Sequence, residues 1–398
     1  VIRFAVQYFL LFTVMATVFP YFQIFLRAKG FTKTQVGDLM GLNSLAIVVG
    51  PLLIGWLADR FGQRRNALAV CFLLFGLLMI PLNATPSFWV AALLVVGVGL
   101  THQTTIPLSD TLASSELPGA REYGRARAFG SVGFITTLTV IWLGKLVDED
   151  SATSMMRAVL ITSAFAFVYA LSLPDSHTSA HHRESRGDAE GGRLDLAFWL
   201  FILATALHRL GITGYYSFFT QYLHDEVGME RGAWVWMIGP IAEMAILFCG
   251  GVLIARVGIL RLLIISMAAV SVRMLIYAEA PFLPAILPAQ CLHALTFAAF
   301  HIACIEFLRR KFSPARRGMA MALYMSLSIA LPGWLASSAG GRIIEHFGYG
   351  VLYRSYAVPP LFGIAIVLLC RRLMSPPPRE WPVSASPPRT SQSPDGRS

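Results

Sequence analysis

Long apolar runs, each broken by a short polar segment, repeat along the whole chain. A helix of about 20 apolar residues crosses roughly 30 Å of hydrocarbon. By that measure the pattern predicts spans over 4–26, 36–58, 67–84, 88–112, 124–147, 154–173, 196–223, 233–255, 260–278, 283–308, 318–339 and 350–370. The expected fold is all-α and integral to the membrane, with twelve transmembrane helices in two six-helix halves. The longest polar interruption, 174–195, falls between the sixth and seventh spans and reads as a cytoplasmic linker. It separates an N-terminal half, 1–173, from a C-terminal half, 196–371. The Pro-, Ser- and Arg-rich segment 372–398 reads as a disordered cytoplasmic tail.

Composition supports lipid as the medium. Hydrophobic residues make up 56% of the chain and charged residues 14%, where soluble domains carry roughly 25% charged. The mean hydropathy is +0.62. A net charge of +10 would suggest nucleic acid, but the basic residues sit in short loops between apolar spans. They gather at the N-terminus, in the even-to-odd loops and at the start of the tail, which places both termini in the cytoplasm by the positive-inside rule. Arg27, Lys29 and Lys33 run against that bias. The cysteines (Cys71, Cys249, Cys291, Cys304, Cys370) lie in or at the end of apolar runs without CxxC spacing, and read as small buried hydrophobes. His177, His181 and His182 read as part of a solvated loop, so no metal site is expected. The first apolar run is too long for a cleavable signal, and no A-x-A site follows it.

An internal repeat is visible. Gly55–Arg65 reads GWLADRFGQRR and Gly251–Arg261 reads GVLIARVGILR, with Gly, Leu, Arg, Gly and Arg at matching offsets. Each copy follows the second span of its half. Two related halves with a linker form a transporter plan whose site lies at the midplane between them. In the first copy Gly55 suits close helix approach, Gly62 a tight turn, and Asp59 a latch to a helix N-terminus or an arginine in one conformer. Ala255 stands where a second Asp59 would be. The segment resembles the signature loop of the major facilitator superfamily, which links the second and third helices. That resemblance implies a conformational latch at Gly55, Asp59, Arg60, Gly62, Arg64 and Arg65.

Ionisable residues inside spans are costly and mark function when they face protein or water. The chain has Asp110, Arg127, Arg209, Glu243, Arg273, His293, His301 and Glu306, with His102 and Gln103 nearby. Asp110 and Arg127 are symmetric about Pro118-Gly119, each about 12 Å of helix from the turn. Glu243 and Arg273 are symmetric about Gly258, and Arg273 and His293 about Leu283, so these three share a depth near the midplane. A carboxylate, a guanidinium and an imidazole at one depth can hold or release a proton as the cation moves. Arg127, Ser131 and Phe134 fall on one helix face and suit a small polar or aromatic solute. Glu306, with Arg309 and Arg310 one turn on, reads as an end-of-helix ion pair, and His301 as a hydrogen-bonded core histidine. Arg209 has no evident partner and could bind an anion or pair with an unseen acid.

Gly124-Arg125-Ala126-Arg127-Ala128-Phe129-Gly130-Ser131-Val132-Gly133-Phe134 resembles the fifth-helix motif of the lactose-permease group. In that group the second arginine pairs with a fourth-helix acid to bind sugar, and an aromatic ring stacks on it. The resemblance implies substrate binding by Asp110, Arg127, Ser131 and Phe134, and proton coupling by Glu243, Arg273 and His293. Thr296 stands where the group has a proton-carrying glutamate, and Arg209, Ile212, Gln290 and Ile329 replace its charge pairs. Pro107-Leu108-Ser109-Asp110, Gln290-Cys291-Leu292-His293 and Thr296-Phe297 are similar to the phenylpropionate-permease branch. An arginine in the cavity suits a carboxylate.

The expected function is secondary active transport. The leading reading is proton-coupled symport of a small organic solute (an arylpropionate-like carboxylate, a sugar or a nucleoside) by alternating access, the proton riding on Glu243 or Asp110. A drug or metabolite exporter of the same fold is the alternative. A membrane enzyme or sensor is disfavoured, because no HxxxH or GxSxG motif and no large soluble domain is present. No cofactor is expected beyond the proton gradient. The expected partners are the solute and the lipid bilayer, not nucleic acid. The chain is expected to work as a monomer, multi-pass in the cell inner (plasma) membrane.

Overall fold

A computed structural model describes residues 1–174 and 193–374. Most of the expected linker and tail, with His177, His181 and His182, lies outside the described residues. Among the described residues all regular structure is helical.

The first span is α1 (Ile2–Val18) and α2 (Phe22–Ala28), interrupted at Pro20, whose ring has no N–H to donate. Next come α3 (Lys33–Phe61), α4 (Arg64–Ala84), α5 (Phe88–Glu116), α6 (Ala120–Gly144) and α7 (Ala152–Ala170). The second half holds α8 (Leu196–Asp225), α9 (Ile238–Val257) and α10 (Ile259–Glu279). There α11 (Leu283–Cys291) and α12 (Phe300–Lys311) are linked through a π segment, Ala294–Ala299. A second π segment, Met325–Ala330, joins α13 (Pro314–Tyr324) to α14 (Leu331–Leu369), before the short α15 (Arg371–Met374). Among the described residues ten stretches are long and apolar enough to cross a membrane. One of them, Arg316–Leu369, is broken at Gly348 (φ 82°) into two legs, and the 20-residue α9 lies apart from the ten. The arrangement is consistent with twelve crossings.

Local chemistry sets the turns. Thr32 and Gln35 form a reciprocal capping box at the start of α3. Gly62 ends α3 with φ 63°, and Gly258 separates α9 from α10 with φ 85°. Both glycines of the repeat therefore sit where a side chain would be strained. The face that carries these two turns is rich in Arg and is called here the basic face. Arg65 Nη1 reaches the Leu173 carbonyl there, and the Tyr169 hydroxyl donates to the Arg3 carbonyl.

The two halves are tied on the opposite face. A Cβ on Gly37 of α3 would lie 2.5 Å from the Ser337 carbonyl of α14, and one on Gly341 would strike the Lys33 carbonyl. Only glycine permits that approach, the usual way helices pack in lipid. Arg27 pairs with Asp225 at 2.7 Å, Arg342 with Asp38 at 2.8 Å, and His224 with Asp150 at 3.3 Å. Lys33 reaches Asp225 at 3.5 Å, and Lys29 donates to the Asn83 carbonyl. The three cations that run against the positive-inside bias are thus committed to contacts, two of them across this gate. Gln23, fully buried, accepts from the Thr220 amide at 3.2 Å and takes a bond from Gln221 Nε2 at 2.8 Å. On the basic face a cleft of about 430 Å³ opens beside Arg64, Asp110, Thr111, Ser114 and Ser115. The halves are thus in contact on the opposite face, and Asp110 is reached from a cleft on the basic face.

Two cysteines, Cys71 and Cys304, are buried as expected, whereas Cys370 is half-buried and Cys291 exposed. Cys291 lies on the outward side of α11, a position periodicity in a continuous apolar run does not distinguish. The side chain of Cys249 lies outside the described residues.

Glu149, in the loop between α6 and α7, is 3% exposed and accepts from the Gly232 and Ala233 amides at 3.2 and 3.1 Å. Burial pushes its carboxyl up to about 7; the like charge of Asp150 adds to this, while the two amides and Arg231 oppose it. Tyr21 also packs within reach of its charge. The seated carboxyl holds its proton more tightly than one in water. Its contribution to closure is therefore greatest below the ordinary 4.5 and is lost as pH rises through about 7. Spin labels at Lys145 and Glu230 should report a larger share of open opposite face at pH 8 than at pH 5. Glu149→Gln should flatten that dependence, and an unchanged pH response in this variant would rule the carboxyl out.

Candidate functional site

The N-terminal wall of the site depends on close packing of α1 and α6. Gly130 leaves room for the Phe12 ring and Gly133 for the Phe9 backbone. This approach sets Tyr8 and Phe12 beside Asp110 and Arg127. The Tyr8 hydroxyl donates to Asp110 Oδ1 at 2.6 Å. Arg127 Nε stands 3.8 Å from the same oxygen, and its guanidinium lies over the Phe12 ring at 4.5 Å and the Tyr8 ring at 5.3 Å. Asp110 and Arg127 side chains are 34% and 33% exposed. The pair is loose and accessible, so the arginine is free to take another anion. Ser131 is half-buried on the same helix. Phe134 is only 7% exposed and packs in the apolar core. It therefore does not stand as an open aromatic plate in this conformer; Phe12 and Tyr8, one turn apart on α1, take that position.

The C-terminal wall is a chain of contacts. Arg273 is fully buried. Its Nη2 donates to Gln290 Oε1 at 2.6 Å, its Nε to the Tyr277 hydroxyl at 2.8 Å, and its Nη1 to Thr296 Oγ1 at 3.3 Å. The Tyr215 ring lies 3.9 Å from the guanidinium carbon. Among the described residues none of these partners is a carboxylate. Two of them, Gln290 and Thr296, stand at positions where the lactose-permease group carries charges, so the substituted residues form a neutral cage. Arg273 Nη1 also lies 3.4 Å from His293 Nδ1. A guanidinium can only donate, so that nitrogen accepts, and in the neutral ring the hydrogen sits on Nε2. Nε2 faces Glu243 Oε2 at 3.9 Å, too long for a hydrogen bond. Glu243, His293 and Arg273 are thus brought together with the imidazole in the middle, and Glu243 does not touch Arg273.

The two walls face each other. The charge of Arg127 reaches both Glu243 and His301 across the interface. His301 is exposed, stacking on Phe297 at 6.1 Å, and Phe297 in turn stacks on His293 at 5.4 Å. His301 is therefore an accessible ring rather than a hydrogen-bonded core histidine. The π segment Ala294–Ala299 lies within this ladder, and such local rewinding often occurs at functional sites. Glu306 is bonded to Arg309 and Arg310 at 2.7 Å, the expected end-of-helix arrangement. His102 is a core residue, tilted against Phe75 at 5.0 Å.

On the basic face Asp59 Oδ1 pairs with Arg64 Nε at 2.6 Å, within the same loop. Arg60 lies over the Trp56 ring at 5.2 Å. A Cβ on Gly55 would meet nothing within 4 Å, so close approach at Gly55 is not used in this conformer.

A helical bundle in two halves, shut on one face and charged at its middle, has the architecture of a secondary transporter rather than an enzyme. The model of the MFS_1 like family matches residues 1–355, and the chain belongs to that family. Maltose permease of Geobacillus stearothermophilus is 24% identical over 369 residues, covering 92% of this chain and 93% of that one. The "Probable 3-phenylpropionic acid transporter" of Escherichia coli K12 is 25% identical over 375 residues, covering 90% and 95%. The crystal structure of the nucleoside transporter NupG shares the fold, with a TM-score of 0.77 at 16% identity, covering 94% of this chain and 98% of that one.

The Arg273 cage yields a stability prediction. Gln290→Leu removes the shortest acceptor of a fully buried guanidinium, which should cost about 1–3 kcal/mol. Thermal melting of the purified protein should fall accordingly. Melting at the wild-type temperature would mean that Gln290 does not hold Arg273.

Proposed function

We propose that the protein carries a small organic solute together with a proton, by alternating exposure of the site between the halves. The observation that supports this is the facing of Arg127 and Glu243 across the interface, each with only a loose partner in its own half. A solute that bridges the two walls would draw them together. Its arrival at Arg127 would change the field on Glu243, which couples solute to proton. Glu243 or Asp110 would carry the proton and His293 would orient it, with the proton gradient as energy source and no further cofactor. Asp110, Arg127 and Ser131 would contact the solute. Phe134 would join them in a conformer that opens the core around it. The Asp59–Arg64 pair, with Gly55, Arg60, Gly62 and Arg65, would latch the basic face during the swing. Relatives named for maltose and for 3-phenylpropionic acid, and a fold shared with a nucleoside transporter, support a sugar, an aryl carboxylate or a nucleoside as the solute. The basic face would be cytoplasmic, with both termini there, in a bacterial inner membrane, and the unit would be the monomer.

Proteoliposomes should show alkalinisation of the outer medium when a matching solute is added, lost in Arg127→Ala and in Glu243→Gln. Solute uptake that continues with the proton gradient collapsed would reduce the mechanism to a uniporter, and net efflux from loaded vesicles would indicate an exporter. Exchanging Asp110 and Arg127 tests the solute contact separately. The double exchange should restore melting but leave transport at least about tenfold down, given the geometric demands of a bound solute. Full transport by the exchanged protein would assign the pair to structure alone.

A further inference from the structure

Of the arginines deep in the bundle, Arg127 faces Asp110 and Arg273 has its neutral cage. Arg209 on α8 has neither. Its guanidinium makes no hydrogen bond or ion pair with any described residue, and its Nε is sealed from solvent with no acceptor. The Tyr216 ring lies 5.1 Å from the guanidinium carbon. The ionisable groups whose charges bear on it are the phenols of Tyr216 and Tyr324 and the imidazole of His208, none of which is an anion at neutral pH. The side chain is nevertheless half-buried rather than sealed, so its terminal nitrogens remain within reach.

Its position is at the interface. A Cβ on Gly333 of α14 would lie 3.4 Å from Arg209 Nε and 3.3 Å from Ser44 Oγ of α3. Gly333 thus keeps clear the ground between the arginine and the other half. On its other side, Tyr216 stands edge-on to the His293 ring at 6.4 Å. Arg209 is therefore one aromatic ring away from the Glu243–His293 contact.

A guanidinium in this setting is costly without a counter-charge, and it is the side chain best shaped for two parallel bonds to a carboxylate. We infer that Arg209 is the seat for a carboxylate on the transported solute, with the Tyr216 ring flanking it. This deepens the transport reading and rests on it, because it names the solute as an organic anion rather than a neutral sugar or nucleoside.

Melting of the purified full chain tests the seat. The probes are 3-phenylpropionate, benzoate and succinate, with 3-phenylpropionamide as a neutral match in shape. At least one carboxylate should raise the wild-type melting temperature, and the amide should not. Arg209→Gln should weaken that carboxylate by about tenfold or more, as expected for loss of a charge-assisted pair, while Arg209→Lys keeps part of the effect. Without probe, Arg209→Gln should melt within a degree or so of wild type, because no native hydrogen bond or ion pair is lost and only the Tyr216 ring contact is given up. A drop of several degrees would show that the arginine has a structural partner and would overturn the seat. So would equal shifts in wild type and Arg209→Gln, or no shift with any of these carboxylates. Counterflow in proteoliposomes separates the two ideas. Counterflow of a sugar or nucleoside that is untouched by Arg209→Gln overturns the carboxylate seat and leaves transport standing. Arg209-dependent carboxylate binding without counterflow of any solute supports the seat and removes the transport reading.

Discussion

Hydrocarbon offers no hydrogen bonds, so every polar group that enters the bilayer must find its partner inside the protein. For the backbone this means helices, and helices whose ends are capped or turned tightly, as at Thr32 and Gly62. For side chains it means that charges collect where protein or water can meet them. The buried guanidinium of Arg273 shows the strict form of the rule. Four neutral acceptors and an aromatic face surround it, and no carboxylate is in contact among the described residues. The looser Asp110–Arg127 pair shows the permissive form, at a place accessible enough for water or solute to complete the coordination.

The same constraint shapes the tie between the halves. Exposed ion pairs contribute roughly 0–1 kcal/mol each, so Arg342–Asp38 alone holds little. The glycine contacts of Gly37 and Gly341 give the closed face its fit, and the buried Gln23–Gln221 bonds add direction to it. Each contribution is modest and reversible. That suits a gate which must open in every cycle, whereas an interface of large interlocked side chains would resist separation. Dispersed, weak and geometrically specific contacts provide a two-state element that a bound solute can bias.

Much of this was legible in the sequence, and what was not shares one cause. Apolar run length placed the spans, and the repeat placed both positive-φ turns, Gly62 and Gly258. Hairpin symmetry about Gly258 and Leu283 correctly set Glu243, Arg273 and His293 at a common depth. Depth along a helix follows from counting residues; rotation about its axis and the identity of its neighbours do not. Hence Tyr8 and Phe12, ordinary aromatic residues in an apolar run, gave no sign that they would meet Asp110 and Arg127. Phe134 and His301 were assigned exposures opposite to those they have, because one face of a fully apolar helix reads like another. A partial signal did exist for the cage: Gln290 and Thr296 are polar residues in an apolar span, and such residues usually seek a buried partner.

The two halves repeat in backbone but not in charge. Gly62 and Gly258 both terminate a helix with positive φ, yet only the first copy carries an ion pair, Asp59–Arg64, since Ala255 occupies the matching place. On the same face the second half ties itself differently, through Glu306 with Arg309 and Arg310 and through Lys311 with Asp195 at the start of α8. A turn of fixed geometry is required wherever two spans reverse tightly, so both copies keep their glycine. The turn geometry does not depend on the neighbouring charges, so those are free to differ. The backbone repeat therefore reflects how each half is built, while the unmatched charges are local to each half, pairing within the first loop, within α12 or between α12 and the start of α8.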